Sequence, residues 1–534
     1  MIIQISLILL ALYFIYDRIY LVYYNYWYYK KQGFKPTGLP LPFLGDILTF
    51  LKVLKTQDEF WEDAHYEYLR HVFNDDIPQY SIDFRYPRGM LVITDPDFVF
   101  ESYSTKNKYF EKFPRSRAMS KKILGESVLF APADELQALK RKHLSSAFYK
   151  DKMQSLLNSI ISTTFDTVQE TISQINKGVD ELDLNQYIGK LILESIQICI
   201  FGVNEKLELL PFKQKGKIDQ LSQGVFMNRL SAGLLERSNN IFRINFEFLD
   251  NHFVGKAEKE LEENTKTLRR FILNMINLRR EKNKALKPEE IPHDFLNMLL
   301  QDDLFKDNES LMIDECCTFM LAATQTTTTT LSNLFFYLTK YDSIRTKLRN
   351  EIKDIFGQQK MISQISKEEW LQKLSLDEIQ SQWKYIFMIA QENLRIEPPL
   401  RKSTPQIVTQ DIEILGKKIL KGMPIIFHFL GLQRNPNEWP EPMQFIPERF
   451  DPSSKHFLTA EGKKRKSGSF TPFLGGRRIC LGKTFAENII KCVTPVITSR
   501  LDFEVLKPEY RERKPPNGLF AEPVYLMKVK LYDQ

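Results

Sequence analysis

The sequence predicts a mainly α fold with a small β portion, organised as a single large domain behind an N-terminal membrane helix. Three observations lead there. The first sixteen residues carry no charge and are rich in Ile, Leu and aromatics. Helical apolar spacing dominates the middle of the chain, whereas strand-like runs are few and short. No internal linker and no repeat of roughly 20–50 residues divides the remainder. Composition agrees: the 534 residues are 43% hydrophobic and 26% charged, which excludes a disordered, collagenous or fibrous protein. The net charge of +7, from 74 basic and 67 acidic residues, is too mild for a nucleic-acid binder. Five cysteines without CxxC or paired Cys/His spacing argue against a disulfide framework or a zinc motif, and for a reducing compartment.

The apolar run ends at Asp17 and Arg18, and a belt of Tyr20, Tyr23, Tyr24, Tyr26, Trp27, Tyr28 and Tyr29 follows before Lys30 and Lys31. A span needs about 20 predominantly apolar residues, and Trp and Tyr favour the headgroup level. A basic n-region and a small-residue cleavage site are both missing, so an uncleaved anchor over 1–30 is expected, with the lysines on the cytosolic side. Pro36, Pro40 and Pro42 cannot continue a helix and predict a stiff hinge over 31–45. The catalytic domain then occupies 46–534. Within it, helices are expected over 148–175, 184–201, 256–280 and 313–338, and strands near 90–94, 407–414 and 524–531. The proline-rich segment 427–470 reads as loop.

One stretch carries specific chemistry. Residues Phe473 to Gly482 place Cys480 in a glycine-bracketed turn, with a helical pattern starting near Lys483. Gly476 and Gly482 permit tight backbone geometry, and a helix N-terminus behind the sulfur favours a thiolate. Arg478 is a cation placed to pair with a cofactor carboxylate. This arrangement resembles the cytochrome P-450 family, whose haem-binding pattern is Phe-x-x-Gly-x-Arg-x-Cys-x-Gly. Phe473, Gly476, Arg478, Cys480 and Gly482 fill every specified position, and Ala486 stands at the usual place beyond. The resemblance implies haem b with Cys480 as the iron ligand.

The resemblance extends upstream. Glu392 and Arg395 stand three apart on a helical pattern, so they share a face, and Arg449 lies in Phe-Ile-Pro-Glu-Arg-Phe, residues 445–450. In the family such residues form a buried network, which makes these three structural. In the helix that crosses the haem, residues 322–327 read Ala-Ala-Thr-Gln-Thr-Thr where the family has Ala/Gly-Gly-x-Asp/Glu-Thr-Thr. Thr326 matches the threonine that bonds oxygen species. Ala323 replaces a glycine, and Gln325 replaces an acid and cannot relay a proton. Thr328, Thr329 and Thr330 read as hydroxyls bonding helix carbonyls. Gln137 stands where the family has a tryptophan facing a haem propionate, while Arg141 keeps its place; Arg401 or Lys402 is a further propionate candidate. Cys199, Cys316, Cys317 and Cys492 read as packing, and the histidines, His428 included, show no ligand spacing.

The resemblance implies a haem-dependent monooxygenase that inserts one atom of O2 into a lipophilic small molecule: a fatty acid, sterol or xenobiotic. NADPH and flavin would enter only through a partner reductase, docked near Lys463, Lys464, Arg465 and Lys466. The expected location is the endoplasmic reticulum membrane, with the domain facing the cytosol. Gln325 and Ala323 keep two alternatives open, a haem-thiolate isomerase or dehydratase acting on a lipid peroxide, and a non-enzymatic haem protein. Substrate selection is expected to fall to segments such as 113–130 and 518–520.

Overall fold

A computed structural model describes residues 2–56, 63–86, 88–146, 150–202, 208–238, 243, 252, 255–292, 294–506, 512–513 and 523–532. Long helices fill most of it, as the spacing predicts. Leu184–Phe201 matches the expected helix at both ends: Asp183 caps its start by accepting from the Asn185 amide, and Gly202 closes it in the left-handed region at φ 58°. The other three are Lys150–Ile175, Lys256–Lys284 and Glu309–Lys340. The last is the axle of the molecule, buried along most of its length against Leu184–Phe201, Lys384–Ile396 and Lys483–Thr498. Its neighbours close a large apolar core containing Leu157, Ile196, Leu331, Trp370, Ile389 and Val493.

The β portion is a six-stranded sheet in the order Lys35–Pro36, Tyr80–Asp83, Met90–Ile93, Pro424–Phe427, Gln406–Val408, Phe110–Lys112. A three-stranded sheet joins Leu501–Val505, Leu526–Leu531 and Glu181–Asp183. The run expected as one strand over 407–414 is two, Gln406–Val408 and Ile412–Ile414, in different sheets. The run over 524–531 likewise splits into Pro523–Val524 and Leu526–Leu531. The proline-rich segment contains a short helix, Phe429–Gln433, and 3-10 turns such as Pro447–Phe450. Of the two expected access segments, the first holds the helix Pro114–Leu124, and residues 518–520 lie outside the described residues.

The N-terminal segment is helical from Ile2 to Lys31, with one π turn at Tyr16–Tyr20. It is the one helix among the described residues long and apolar enough to cross a membrane, judged over Gln4–Lys31. Its second half behaves differently from a free anchor. Val22, Tyr26 and Tyr29 are buried in the apolar cluster that backs the large sheet, together with Phe34, Phe84 and Phe427. Asn25 donates to the Arg88 carbonyl at 2.8 Å, and Asp17 pairs with Arg88. The residues expected as a spacer are engaged too: Lys35–Pro36 pairs in parallel with Tyr80–Asp83 as the edge strand, where a proline without an amide hydrogen is tolerated. The helix stops at Gln32 and Gly33, the latter at φ 89°, ahead of the first proline, and the proline segment is packed onto the sheet.

Candidate haem-thiolate site

The cysteine loop is moulded on the segment around Tyr103. Gly476 has φ 58°, and a Cβ there would come within 2.5 Å of the Tyr103 carbonyl oxygen; a Cβ on Gly475 would come within 2.7 Å of the Tyr103 ring. The Cys480 amide closes the loop on the Phe473 carbonyl at 2.9 Å. Gly482 departs from expectation. Its φ is −88°, open to any residue, and nothing lies within 4 Å of where its Cβ would be. Its missing side chain leaves room beside the sulfur and serves no turn.

Cys480 is exposed, whereas Cys199, Cys316, Cys317 and Cys492 are buried with their thiols pushed up by desolvation. The helix Lys483–Thr498 starts three residues after Cys480. Desolvation pushes the Cys480 thiol up as well, and the hydrogen bond from the Gly482 amide, Arg141 and Lys483 only partly offset this. A metal ion bound at the sulfur would add positive charge that favours the thiolate.

The cations around the loop point to the same ligand. Arg478 donates from Nη2 to Glu111 at 2.7 Å and to the Ala131 carbonyl at 2.8 Å, while its buried Nε and Nη1 have no partner. Lys112 is buried next to it, donating to Thr404 Oγ1 at 2.7 Å. Burial and the Arg478 charge push Lys112 down to about 7, against the pull of Glu111. The buried Lys112 and the half-buried Arg478 thus share one carboxylate, which leaves room for further anionic groups. Haem b fits these residues, with one accessible sulfur for iron and unsatisfied cations for its carboxylates. Sequence reasoning missed Lys112, although it shares the inward face of the strand Phe110–Lys112 with Phe110.

The remaining candidates divide. Arg141 bonds the Ile479 carbonyl, and with Gln137, Arg477 and Leu481 it lines a groove of about 480 Å³ beside the cysteine loop. Arg401 and Lys402 are committed elsewhere: Arg401 pairs with Glu397 at 2.8 Å and Lys402 reaches Asp63 at 3.5 Å. On the long helix, Ala322 is exposed between buried Leu321 and buried Gln325, so this turn borders open space. Thr326 Oγ1 donates to the Ala322 carbonyl at 2.6 Å. Gln325 instead lines a small cavity with Leu193, Gly224, Met227 and Met320, against the neighbouring helices. Thr330 bonds the Thr326 carbonyl as expected, but the buried Thr328 hydroxyl has no partner.

Glu392, Arg395 and Arg449 come together in full burial. Arg395 grips Glu392 with two bonds of 2.7 Å and donates to the carbonyls of Gln433, Pro442 and Gln444. Arg449 Nε adds a third bond to Glu392 at 3.3 Å. The cytochrome P450 family model matches residues 36–531. The chain belongs to the cytochrome P450 family. Among curated proteins, it is 26% identical over 446 residues to cytochrome P450 4F5 of Rattus norvegicus, a match covering 80% of this chain and 77% of that one. It is 24% identical over 458 residues to the ultra-long-chain fatty acid omega-hydroxylase of Homo sapiens, covering 83% and 79%. The crystal structure of the cytochrome P450 CYP102L1 superposes with a TM-score of 0.69, covering 93% of this chain and 99% of that one at 16% identity, which shows the shared fold. As a P450, the protein is a haem-dependent monooxygenase of lipophilic molecules that draws electrons from a redox partner.

Proposed function

We propose that this P450 hydroxylates long-chain fatty acids from a membrane-anchored position on the endoplasmic reticulum, its catalytic domain facing the cytosol. The supporting observation is the under-neutralised cation cluster of Arg478 and Lys112 beside the accessible Cys480, in a chain whose relatives include a named fatty acid omega-hydroxylase. When bound, haem held by the Cys480 thiolate supplies O2 activation, and the thiolate's electron donation favours O–O cleavage. Arg478, Lys112 and Arg141 hold and orient the group. The Thr326 hydroxyl has its proton on the Ala322 carbonyl, so its oxygen remains an acceptor, and rotation lets it pass a proton towards the open turn. Gln325 acts as a packing neighbour of that turn, consistent with its place between the helices.

The reductase docks on the face beside the cysteine loop. Of the four basic residues expected there, Arg465 is turned inward over the Trp439 ring at 4.3 Å, Lys463 pairs with Glu461 and Lys466 with Asp97. The groove beside the cysteine loop offers Lys142 and Arg477 as further cations. The test is a reconstitution of the anchored protein with an NADPH-dependent cytochrome reductase against fatty acids of increasing length, sterols and aromatic xenobiotics. Hydroxylated fatty acid formed in step with NADPH consumption is the expected result. Turnover confined to sterols or xenobiotics would overturn the substrate class, and Cys480→Ala should abolish both turnover and the thiolate-type Soret band of the reduced carbon monoxide complex.

The division at residue 30 is also ours to test. Removing residues 1–20 should release protein from membranes with haem retained. Removing 1–31 strips Val22, Tyr26 and Tyr29 from the sheet cluster, about 1.5–3 kcal/mol for each fully buried side chain, and should lower the thermal midpoint of what remains.

A further inference from the structure

Outside the cysteine loop, four elements bring a second constellation together. Asp63 caps the helix Ala64–Val72, accepting from the Tyr66 amide at 2.9 Å, and His65 stands in its first turn. His428 follows the strand Pro424–Phe427 and caps the helix Phe429–Gln433. Asp83 ends the strand Tyr80–Asp83. Asp63, His65 and His428 are all buried, and one ligand atom from each lies within 4.8 Å of the others. The two imidazoles meet edge to face, with ring centroids 5.3 Å apart.

The constellation is short of hydrogen bonds. Both ring nitrogens of His65 and the Nε2 of His428 are buried without a partner. His65 Nε2 lies 3.1 Å from Asp83 Oδ2 but out of line for a hydrogen bond, and His428 Nε2 is 3.9 Å from Asp63 Oδ1. An unmet buried donor or acceptor costs about 1–3 kcal/mol, so two neutral imidazoles are an expensive filling unless something takes their lone pairs. We propose that Asp63, His65 and His428 bind a divalent zinc ion, with Lys402 as the cation that holds the Asp63 carboxylate in its absence.

The chemistry is consistent. Two imidazoles and one carboxylate form a nitrogen and oxygen set suited to zinc, with water completing four-coordination. With one His65 nitrogen on the metal, a small turn of the ring would bring the other into line with Asp83 Oδ2, now 3.1 Å from Nε2, giving the carboxylate–histidine–metal arrangement that fixes a ligand's ring. Arg85 already neutralises Asp83, donating to both its oxygens. Burial holds His65 down at about 3 and His428 further below its usual value, so both rings are neutral at neutral pH. A neutral imidazole offers one ring nitrogen's lone pair to a metal. Binding through His428 Nε2 puts that ring's proton on Nδ1, so the long 3.4 Å contact from the Gly431 amide is given up. Lys402 Nζ stands 3.5 Å from both Asp63 oxygens on a side chain 35% exposed, from which it can swing into water. The ion would clip the helix Ala64–Val72 to the strand Pro424–Phe427, which leads towards the buried Gln433 and Arg395.

The experiment uses the haem-loaded, untagged protein. After dialysis against a chelator it is equilibrated with zinc chloride, desalted, and its zinc measured per haem by mass spectrometry, with thermal midpoints in parallel. One zinc per haem and a raised midpoint are expected. His65→Gln combined with His428→Gln should lose the zinc while keeping the haem Soret band, and Lys402→Met should bind zinc roughly tenfold more tightly by removing an adjacent positive charge. Wild-type protein that retains no zinc overturns the proposal, as does unchanged zinc content in the double variant. Should the double variant fail to load haem, Lys402→Met decides alone: unchanged zinc affinity there overturns the proposal.

Discussion

Two arginines with buried guanidinium nitrogens differ in how many of their donors are used. Arg395 spends all five N–H groups, two on Glu392 and three on the carbonyls of Gln433, Pro442 and Gln444. Arg478 bonds only through Nη2, and its buried Nε and Nη1 face nothing in the protein. Both sit in family motifs, and both are guanidinium groups removed from water. The completed one belongs to the framework, and the incomplete one is shaped for a partner that arrives later. Counting donors separates the two roles where sequence position does not.

The largest effect that would break this contrast is at the completed site. Arg395→Ala leaves Glu392 buried with only Arg449 and the Ile446 amide for company, a loss of about 3–5 kcal/mol. Little folded protein should be recovered, with or without haem, as seen by denaturation midpoints of both forms. Arg478→Leu should act the other way round. The haem-free protein should be as stable as wild type or more so, because a half-bonded cation has gone, whereas haem should leave roughly 10- to 100-fold faster on transfer to a scavenging apoprotein. Equal losses in haem-free and haem-loaded forms would erase the distinction.

Much of the framework was legible because its signals are local. The helix Leu184–Phe201 announces itself by spacing, an aspartate cap and a glycine stop, all within twenty residues. Cys480 and its loop are likewise contiguous. What the sequence hid are contacts between distant stretches. Lys112 meets Thr404 and Arg478 across more than 290 residues, and nothing near Lys112 marks it as buried. Lys402 likewise reads as available for a cofactor carboxylate, yet Asp63, 339 residues earlier, faces it. Gly482 reads as a turn glycine, yet its φ is ordinary and no protein atom crowds the place of its Cβ.

The smallest effect sharpens the comparison through pH. Lys112 drops from 10.5 to about 7 in the haem-free fold, so between those values the unfolded chain binds the extra proton and stability rises with pH. That contribution is lost as pH falls through 7. Lys112→Met should flatten the corresponding slope of the thermal midpoint in haem-free protein. In loaded protein the wild-type slope should already be shallower, since a cofactor carboxylate keeps the lysine charged.

The moulding of the cysteine loop on Tyr103, and the Arg478–Glu111 pair spanning 367 residues, also order events at the ribosome. At about 5–20 residues per second, Glu111 emerges roughly 20–70 s before the arginine it will meet. The early side of the pocket cannot set first, because the strand Phe110–Lys112 waits for Thr404 and for its partner strand Gln406–Val408. Cofactor capture becomes a closing act of biosynthesis, and a chain that stalls before Cys480 is released as a scaffold that cannot sequester iron.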